Sequence, residues 1–280
     1  MTIQRVSILG SGTMGIDIAL LFAQHGFDVI LWHKDSSATA HQRLIGKLDR
    51  YVAKEVFSAE ISLVLRKAIG TTDDLVLAAA ADLVVESVVE DYATKTALLC
   101  RVCGLMRTGS LLVTNTSSFS IDRLGEALRN KRNFAGLHFF NPATKMELIE
   151  IVAGKNTSAE TIEQLRMLAV KLGKISVTVK DTPGFIVNRL LMTQINSAIC
   201  LLDSGAASAE DIDLAMTAGL GHKKGPLALA DFIGLDVVYS ILTSIYKATN
   251  DSAYNPSGLL AKMISEQKLG RKSGAGFFIY

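Results

Sequence analysis

The sequence predicts an α/β protein in two parts: a doubly wound sheet with a projecting helical hairpin, then an all-helical C-terminal domain. Three observations predict it. Short apolar runs alternate with helical patterns in the first half, a long helical stretch separates the second and third runs, and the pattern beyond residue 184 is helical to about residue 268. Strands that alternate with helices indicate β–α–β units and a largely parallel sheet.

The predicted strands are apolar along nearly their whole length, as expected when helices cover both faces of a sheet. They lie at residues 5–10, 27–32, 81–86, 110–115, 133–139 and 175–179. A helix predicted over residues 13–25 connects the first two strands, and Gly26 follows it as a C-terminal cap signal.

Residues 37–69 are polar, charged and too numerous for a simple crossover, and they predict the helical hairpin. Pro183 and Gly184 follow the last predicted strand and mark a boundary. We therefore predict two domains, residues 1–182 and 183–280. The second is rich in apolar helical faces, which is typical of a domain that dimerises.

Composition and charge exclude several classes of protein. The formal net charge of +2 is too small and too evenly spread to indicate a nucleic-acid partner. Three cysteines do not make a disulfide framework, and Cys100-x-x-Cys103 lies in a helical window without the second ligand pair of a zinc site, so we expect no metal. No signal segment and no apolar run of 18 residues occurs, so we expect a cytoplasmic protein that does not enter the membrane.

The segment GSGTMG at residues 10–15 matches G-x-G-x-x-G directly after a strand and at the start of a helix. In that context the glycines permit a tight turn, close approach of a pyrophosphate, and helix–strand packing, while the N–H groups that begin the helix hold phosphates. The N-terminal domain is therefore predicted to be a Rossmann-type dinucleotide-binding domain. Its first cofactor-binding residues are Gly10, Gly12, Thr13, Met14 and Gly15.

The end of the second strand bears on which dinucleotide binds. An acidic residue about 20 residues beyond the glycine motif holds the adenosine ribose 2′-OH of NAD. Here that position is His33, and Lys34 follows it. The missing carboxylate removes repulsion of a 2′-phosphate and Lys34 supplies a positive charge, which favours NADP. Asp35 keeps NAD open, and a solvated surface lysine is the other interpretation of Lys34.

Seven segments follow one another along the chain: GSGTMG, VTNTSSFSI, AGLHFFNPATKMELIEIV, DTPGFIVNRLL, ASAEDIDLAM, GPLALADFIGLD and LGRKSGAGFF. Together they closely resemble the L-3-hydroxyacyl-CoA dehydrogenase family, particularly the short bacterial 3-hydroxybutyryl-CoA dehydrogenases. The resemblance covers essentially the whole chain. It implies hydride transfer between NAD or NADP and the 3-hydroxy or 3-keto group of a short acyl thioester. It also implies a homodimer formed through the helical domain.

The resemblance implies roles for individual residues. His138 corresponds to the general acid/base, and Glu150 to the carboxylate that orients and charges its imidazole. Ser117 corresponds to a hydroxyl that contacts the substrate oxygen and the nicotinamide, and Asn188 to an amide near the same oxygen. Further positions along the cofactor are Glu90, Lys95, Asn115, Asn141 and Lys272.

The chain departs from the family where the CoA tail binds. The family's serine and lysine correspond to Asp49 and Val56, with Lys54 close by as a candidate substrate-binding residue. An aspartate would repel CoA phosphates. One hypothesis is therefore an acyl-carrier protein as carrier, its acidic surface meeting Lys223 and Lys224.

Two other functions stay open. One is a dehydrogenase of a small free hydroxy acid, as in the related gulonate dehydrogenases. The other is a catalytically silent dinucleotide-binding protein, as in lens lambda-crystallin. The four catalytic positions are all present, which argues against silence.

Overall fold

A computed structural model describes residues 3–280, and the chain divides into two units between Thr182 and Pro183. The N-terminal unit is built on one eight-stranded sheet. Its strands are β1 (Arg5–Leu9), β2 (Asp28–Trp32), β3 (Ile69–Thr72), β4 (Leu83–Glu86), β5 (Leu111–Thr114), β6 (Phe134–Phe139), β7 (Leu148–Ala153) and β8 (Ile175–Lys180).

The strand order is β3-β2-β1-β4-β5-β6-β7-β8, and its first six strands follow the doubly wound arrangement. Neighbouring strands are parallel except β6 and β7, which are antiparallel. The predicted fold class is confirmed. Two strands, β3 and β7, were not among those expected from the sequence. The sequence of β3, IGTT, is short and half polar, so it lacks the apolar run that marked the others.

Helices cover the sheet and connect its strands. They are α1 (Thr13–Gln24), α2 (Ser37–Ala53), α3 (Ala59–Ala68), α4 (Leu75–Ala79), α5 (Tyr92–Leu105), α6 (Ile121–Gly125) and α7 (Ala159–Lys171). The core combines the strand interiors with the inner faces of these helices; Ile8, Leu31 and Phe22 are fully buried in it. Burial of such side chains is the main term that stabilises the sheet.

The predicted helical hairpin is α2 and α3, and a polar cluster fastens it to α1. The carboxylate of Asp17 in α1 is fully buried. It accepts a hydrogen bond from the Tyr51 hydroxyl at 2.7 Å and lies 3.1 Å from the Lys47 ammonium. Burial and the neighbouring Asp17 carboxylate raise the pKa of Tyr51. The helix that follows the glycine motif is therefore tied to the hairpin by side chains as well as by core packing.

The C-terminal unit is helical. Its helices are α8 (Val187–Asp203), α9 (Ala209–Leu220), α10 (Pro226–Ile233), α11 (Leu235–Thr249) and α12 (Gly258–Ser265). Met192, Ile195 and Leu227 are fully buried in its core. Within residues 3–280 no single helix has the length and hydropathy of a membrane span. The helices α10 and α11 have that length and hydropathy only when they are taken together, and they are bent by 99° relative to each other.

Candidate active site

The glycine motif forms a tight loop between β1 and α1. Gly10 has a φ of +118°, and a Cβ there would lie 2.4 Å from the carbonyl oxygen of Ser87. A Cβ at Gly15 would lie 1.8 Å from the carbonyl oxygen of Gly10, so helix and strand approach too closely for any side chain. At Gly12, in contrast, a Cβ would meet nothing within 4 Å, so the loop is open on the side from which a ligand would come.

The N-terminus of α1 suits an anionic group. Gly12 caps the helix without a side chain, and the first turn carries no acidic residue. The N–H groups of that turn and the positive end of the helix dipole are therefore available to phosphates. Thr13 and Met14 occupy this turn, with Thr13 exposed and Met14 half-buried. These features fit the pyrophosphate of a dinucleotide.

The residues after β2 carry positive charge and no carboxylate at the expected position. The His33 ring is buried, and its Nδ1 accepts the backbone N–H of Asp35 at 3.2 Å. Lys34 and Asp35 are exposed. Arg43, in α2, reaches back to the glycine loop, where its guanidinium Nη1 lies 3.5 Å from the Ser11 hydroxyl oxygen. Sequence reasoning missed Arg43 because only the direction of α2 brings it to the loop.

The carboxyl ends of β1, β4, β5 and β6 lie side by side at one edge of the sheet, because these neighbours are parallel. His138 lies next to the end of β6. Across the antiparallel pair its register partner is Glu150 of β7. Opposed residues of an antiparallel pair point to the same face. Accordingly, Nδ1 of His138 lies 2.7 Å from Oε2 of Glu150.

The His138–Glu150 pair is shielded from water, since His138 is 6% exposed and Glu150 is 0% exposed. The Phe140 ring flanks the imidazole with a centroid separation of 4.6 Å. Low local dielectric strengthens the interaction of the carboxylate with an imidazolium. The contact of Nδ1 with the carboxylate fixes the orientation and the tautomer of the imidazole.

Ser117 lies in the loop that follows β5 and is half-buried. Glu90 organises this loop: its Oε1 accepts the Ser117 backbone N–H at 3.1 Å and the Ser118 hydroxyl at 2.8 Å. The Thr116 hydroxyl donates to the same oxygen at 2.5 Å. The Ser117 backbone is thus fixed in the loop that follows β5.

Lys95 and Asn115, both expected along the cofactor, bind other protein groups. Lys95 is 1% exposed, and its ammonium contacts Glu86 at 2.8 Å and Glu90 at 3.0 Å. Asn115 accepts the Phe139 backbone N–H at 2.9 Å. Asn141, the second residue after β6, is exposed. Sequence reasoning missed Glu86, although a glutamate at the end of an apolar strand is a signal that could have found it.

The remaining expected site residues lie in the hairpin and in the C-terminal unit. Lys54, the C-cap of α2, is exposed, and Asp49 of the same helix pairs with Arg66 of α3. In the C-terminal unit, Asn188 is the second residue of α8. In the same unit, Lys272 pairs with Asp236 at the start of α11. Across residues 3–280, no group of three or more His, Cys, Asp and Glu side chains is arranged to hold a metal ion.

A glycine loop that admits a pyrophosphate, next to a buried histidine–carboxylate pair on a doubly wound sheet, is the arrangement of a dinucleotide-dependent dehydrogenase. The family model "3-hydroxyacyl-CoA dehydrogenase, NAD binding domain" matches residues 5–182, and "3-hydroxyacyl-CoA dehydrogenase, C-terminal domain" matches residues 184–280. The chain belongs to the 3-hydroxyacyl-CoA dehydrogenase family, and the resemblance found in its sequence is confirmed.

The chain is also similar to individual proteins in sequence and in structure. The chain is 39% identical to a 3-hydroxybutyryl-CoA dehydrogenase of Bradyrhizobium diazoefficiens, over 99% of this chain and 96% of the relative. Among solved structures, FadB2 of M. tuberculosis superposes with a TM-score of 0.94 at 33% identity, covering 100% of both chains. The (S)-3-hydroxybutyryl-CoA dehydrogenase PaaH1 of Ralstonia eutropha gives a TM-score of 0.92 at 36% identity, covering 100% of this chain and 99% of that one.

Proposed function

We propose that the protein interconverts a short 3-hydroxyacyl thioester and its 3-keto form, with His138 as the acid/base. The observation that carries this proposal is the buried His138–Glu150 pair at the carboxyl edge of the sheet, with an Nδ1–Oε2 distance of 2.7 Å. The substrate class rests on the family and on the relatives named 3-hydroxybutyryl-CoA dehydrogenase.

The nicotinamide, when bound, accepts or donates the hydride. In the direction of oxidation, Nε2 of His138 takes the proton of the substrate hydroxyl. Glu150 keeps the imidazole in one tautomer and stabilises the imidazolium that forms. In the direction of reduction, the imidazolium returns that proton to the new alkoxide. The Ser117 hydroxyl and, from the family resemblance, the Asn188 amide donate hydrogen bonds to the same substrate oxygen.

The first test is the initial rate of acetoacetyl-CoA reduction, measured separately with NADH and NADPH from the loss of nicotinamide absorbance. We expect rapid turnover with at least one cofactor. Cofactor binding without turnover of the CoA thioester would overturn the substrate assignment and direct the search to a carrier-protein-linked or free hydroxy acid.

For the cofactor, we propose a preference for NADPH. His33 stands where a carboxylate would repel the 2′-phosphate, Lys34 is exposed beside it, and the Arg43 guanidinium approaches the glycine loop. Hydrogen bonds to charged groups contribute about 1.5–3 kcal/mol. The variant Arg43→Gln should therefore lower kcat/KM for NADPH by about tenfold or more, and change that for NADH by less than about threefold.

Arg50→Gln is a matched control for this test. Arg50 lies on the same helix and is exposed, but its Nε donates to the Gly46 carbonyl oxygen at 3.0 Å. The control should change neither cofactor constant. An equal loss with both cofactors in Arg43→Gln would assign that side chain to the pyrophosphate rather than to the 2′-phosphate.

One observation favours a second candidate substrate, a thioester of an acyl-carrier protein. Asp49 stands at the position of the family's CoA-contacting serine, and it pairs with Arg66. A comparison of kcat/KM for acetoacetyl-CoA and an acetoacetyl-carrier protein tests this candidate, and a much larger value for the CoA thioester refutes it. The homodimer and the cytoplasmic location expected from the sequence stay predictions, the former checked by light scattering.

A further inference from the structure

A chain of ion pairs begins at the carboxyl end of β4, and two of its three side chains are buried. Glu86 is 0% exposed and Lys95 is 1% exposed. The Lys95 ammonium lies 2.8 Å and 3.1 Å from the two carboxylate oxygens of Glu86, and 3.0 Å from Oε2 of Glu90. We call these three residues the Glu86–Lys95–Glu90 chain.

Glu86 is itself held rigidly, which makes it a fixed end of this chain. Its Oε1 accepts the Val88 backbone N–H at 2.8 Å, and its Oε2 accepts the Thr114 hydroxyl at 2.5 Å. The Val88 donor belongs to the segment after β4, and the Thr114 donor is the last residue of β5. The carboxylate of Glu86 is therefore positioned by groups at the sheet edge and in turn positions the Lys95 ammonium.

Glu90 is the other end, and it holds the Ser117 loop. It accepts the Ser117 N–H and the hydroxyls of Thr116 and Ser118 on Oε1. Burial alone raises the pKa of this carboxyl. The charge of Lys95, together with the Thr116 and Ser118 hydroxyls, outweighs burial, and the pKa of Glu90 is lowered. Lys95 thus keeps Glu90 ionised and able to accept all three donors.

We propose that Glu86 is a positioning residue of the reaction, which acts through Lys95 and Glu90 to hold the Ser117 loop in its productive geometry. This inference rests on the proposed contact of Ser117 with substrate. A misplacement of about 1 Å at a reacting group costs about 100-fold in rate. Loss of the Glu86 charge therefore affects turnover more than substrate affinity.

The test is a double-mutant cycle of Glu86→Gln and Lys95→Met. Glu86→Gln should lower kcat by about tenfold or more, with KM for the acyl thioester within about threefold. The double variant should have the kcat of Lys95→Met alone, because Glu86 acts through Lys95. Losses that multiply in the double variant would show that Glu86 acts independently and would overturn the proposal.

Ser110→Ala is the matched control for a structural effect. Ser110 is also buried, at 3% exposure, and its hydroxyl donates to the Ala81 carbonyl oxygen at 2.9 Å, directly before β5 at the amino edge of the sheet. This variant should lower the melting temperature and leave kcat within about twofold. If Glu86→Gln fails to fold, the kcat of the double variant can still be compared with that of Lys95→Met, because the double variant removes both buried charges together.

Hydrogen exchange of the Ser117 amide provides a readout that needs neither cofactor nor turnover. In the wild type that N–H is bonded to Glu90. We expect exchange about tenfold faster in Glu86→Gln and unchanged in Ser110→Ala. An unaltered rate in Glu86→Gln would overturn the positioning role whatever the substrate is. Faster exchange in a protein that does not turn over acetoacetyl-CoA would leave the positioning role standing and remove only the proposed function.

Discussion

Buried carboxylates have different kinds of partner in the two units of the chain. In the N-terminal unit, Glu86 and Glu150 are both 0% exposed, and each pairs with a titratable side chain, Lys95 or His138. Both pairs lie at the carboxyl edge of the sheet, where the strands that hold the glycine loop and the Ser117 loop also end.

In the C-terminal unit the buried carboxylates bind mainly backbone groups. Asp213 accepts two N–H groups in the first turn of α10, both at 2.8 Å. Asp231 is 1% exposed and accepts the N–H groups of Phe277 and Phe278 at 3.0 Å and 2.9 Å, as well as the Tyr280 hydroxyl at 3.2 Å. These carboxylates fasten a helix start and the C-terminal segment.

This difference distinguishes carboxylates that can take part in proton transfer from carboxylates that only stabilise the fold. A backbone N–H does not titrate, so a carboxylate bonded to it can fix geometry but cannot tune a proton transfer. A carboxylate bonded to an imidazole can do both. Variants of the N-terminal carboxylate pairs should therefore change turnover, and variants of the C-terminal carboxylates should change stability.

The largest effect is expected from His138→Gln. Glutamine preserves much of the side-chain volume but cannot act as a general base, and such bases contribute about 10²–10⁴-fold. We expect kcat to fall by about 1000-fold or more, with the cofactor dissociation constant within about twofold, measured by steady-state rates and by titration of nicotinamide fluorescence.

His25→Gln is the matched control, since His25 is exposed and its Nδ1 lies 2.8 Å from the Leu21 carbonyl oxygen at the end of α1. Its kcat should stay within about twofold of the wild type. Turnover that survived in His138→Gln would refute the mechanism and, with it, the chemical side of the comparison.

Glu150→Gln should have the next largest effect. The protein would keep His138 as its base, but the imidazole would lose the carboxylate that fixes its tautomer and stabilises its positive charge. We expect kcat to fall by about 100-fold. Glu147→Gln, an exposed glutamate just before β7, is the control and should retain nearly full activity. A Glu150→Gln variant that lost stability but kept its kcat would place Glu150 with the structural carboxylates.

Sequence reasoning predicted the glycine loop and most strands because each leaves a local signal, a glycine spacing or an apolar run, whereas the role of His138 came from the family resemblance. The pairing of His138 with Glu150 depends on the register of two antiparallel strands, which no local pattern encodes; only the family resemblance indicated it. The burial of Lys95 could not be predicted either, because lysine is almost never fully buried unless it is paired. Its partner Glu86 ends an apolar strand and leaves a local signal, but the pairing of the two side chains is recognised only from the fold.

The smallest expected effect on turnover is that of Asp231→Asn, which tests the structural side of the comparison. Asparagine can accept one of the two N–H groups but turns an amide toward the other, and an unsatisfied buried group costs about 1–3 kcal/mol. Urea denaturation should show a loss of that size in the free energy of unfolding, with kcat of the folded protein within about twofold. Asp203→Asn, an exposed residue of the same unit, should change the free energy of unfolding by less than about 0.5 kcal/mol.

The pH dependence of this loss sharpens the prediction. Burial, assisted by the nearby Asp213 charge, raises the pKa of Asp231 above its ordinary value of 3.8, although the bonds from Phe277, Phe278 and Tyr280 oppose the shift. A raised pKa means that the folded state favours the protonated acid, so its contribution to stability is full below about pH 3.8 and declines as pH rises through the folded-state pKa. The stability difference between wild type and Asp231→Asn should therefore be larger at pH 4 than at pH 7. A difference that grew with pH would mean that the N–H bonds to the carboxylate dominate its burial.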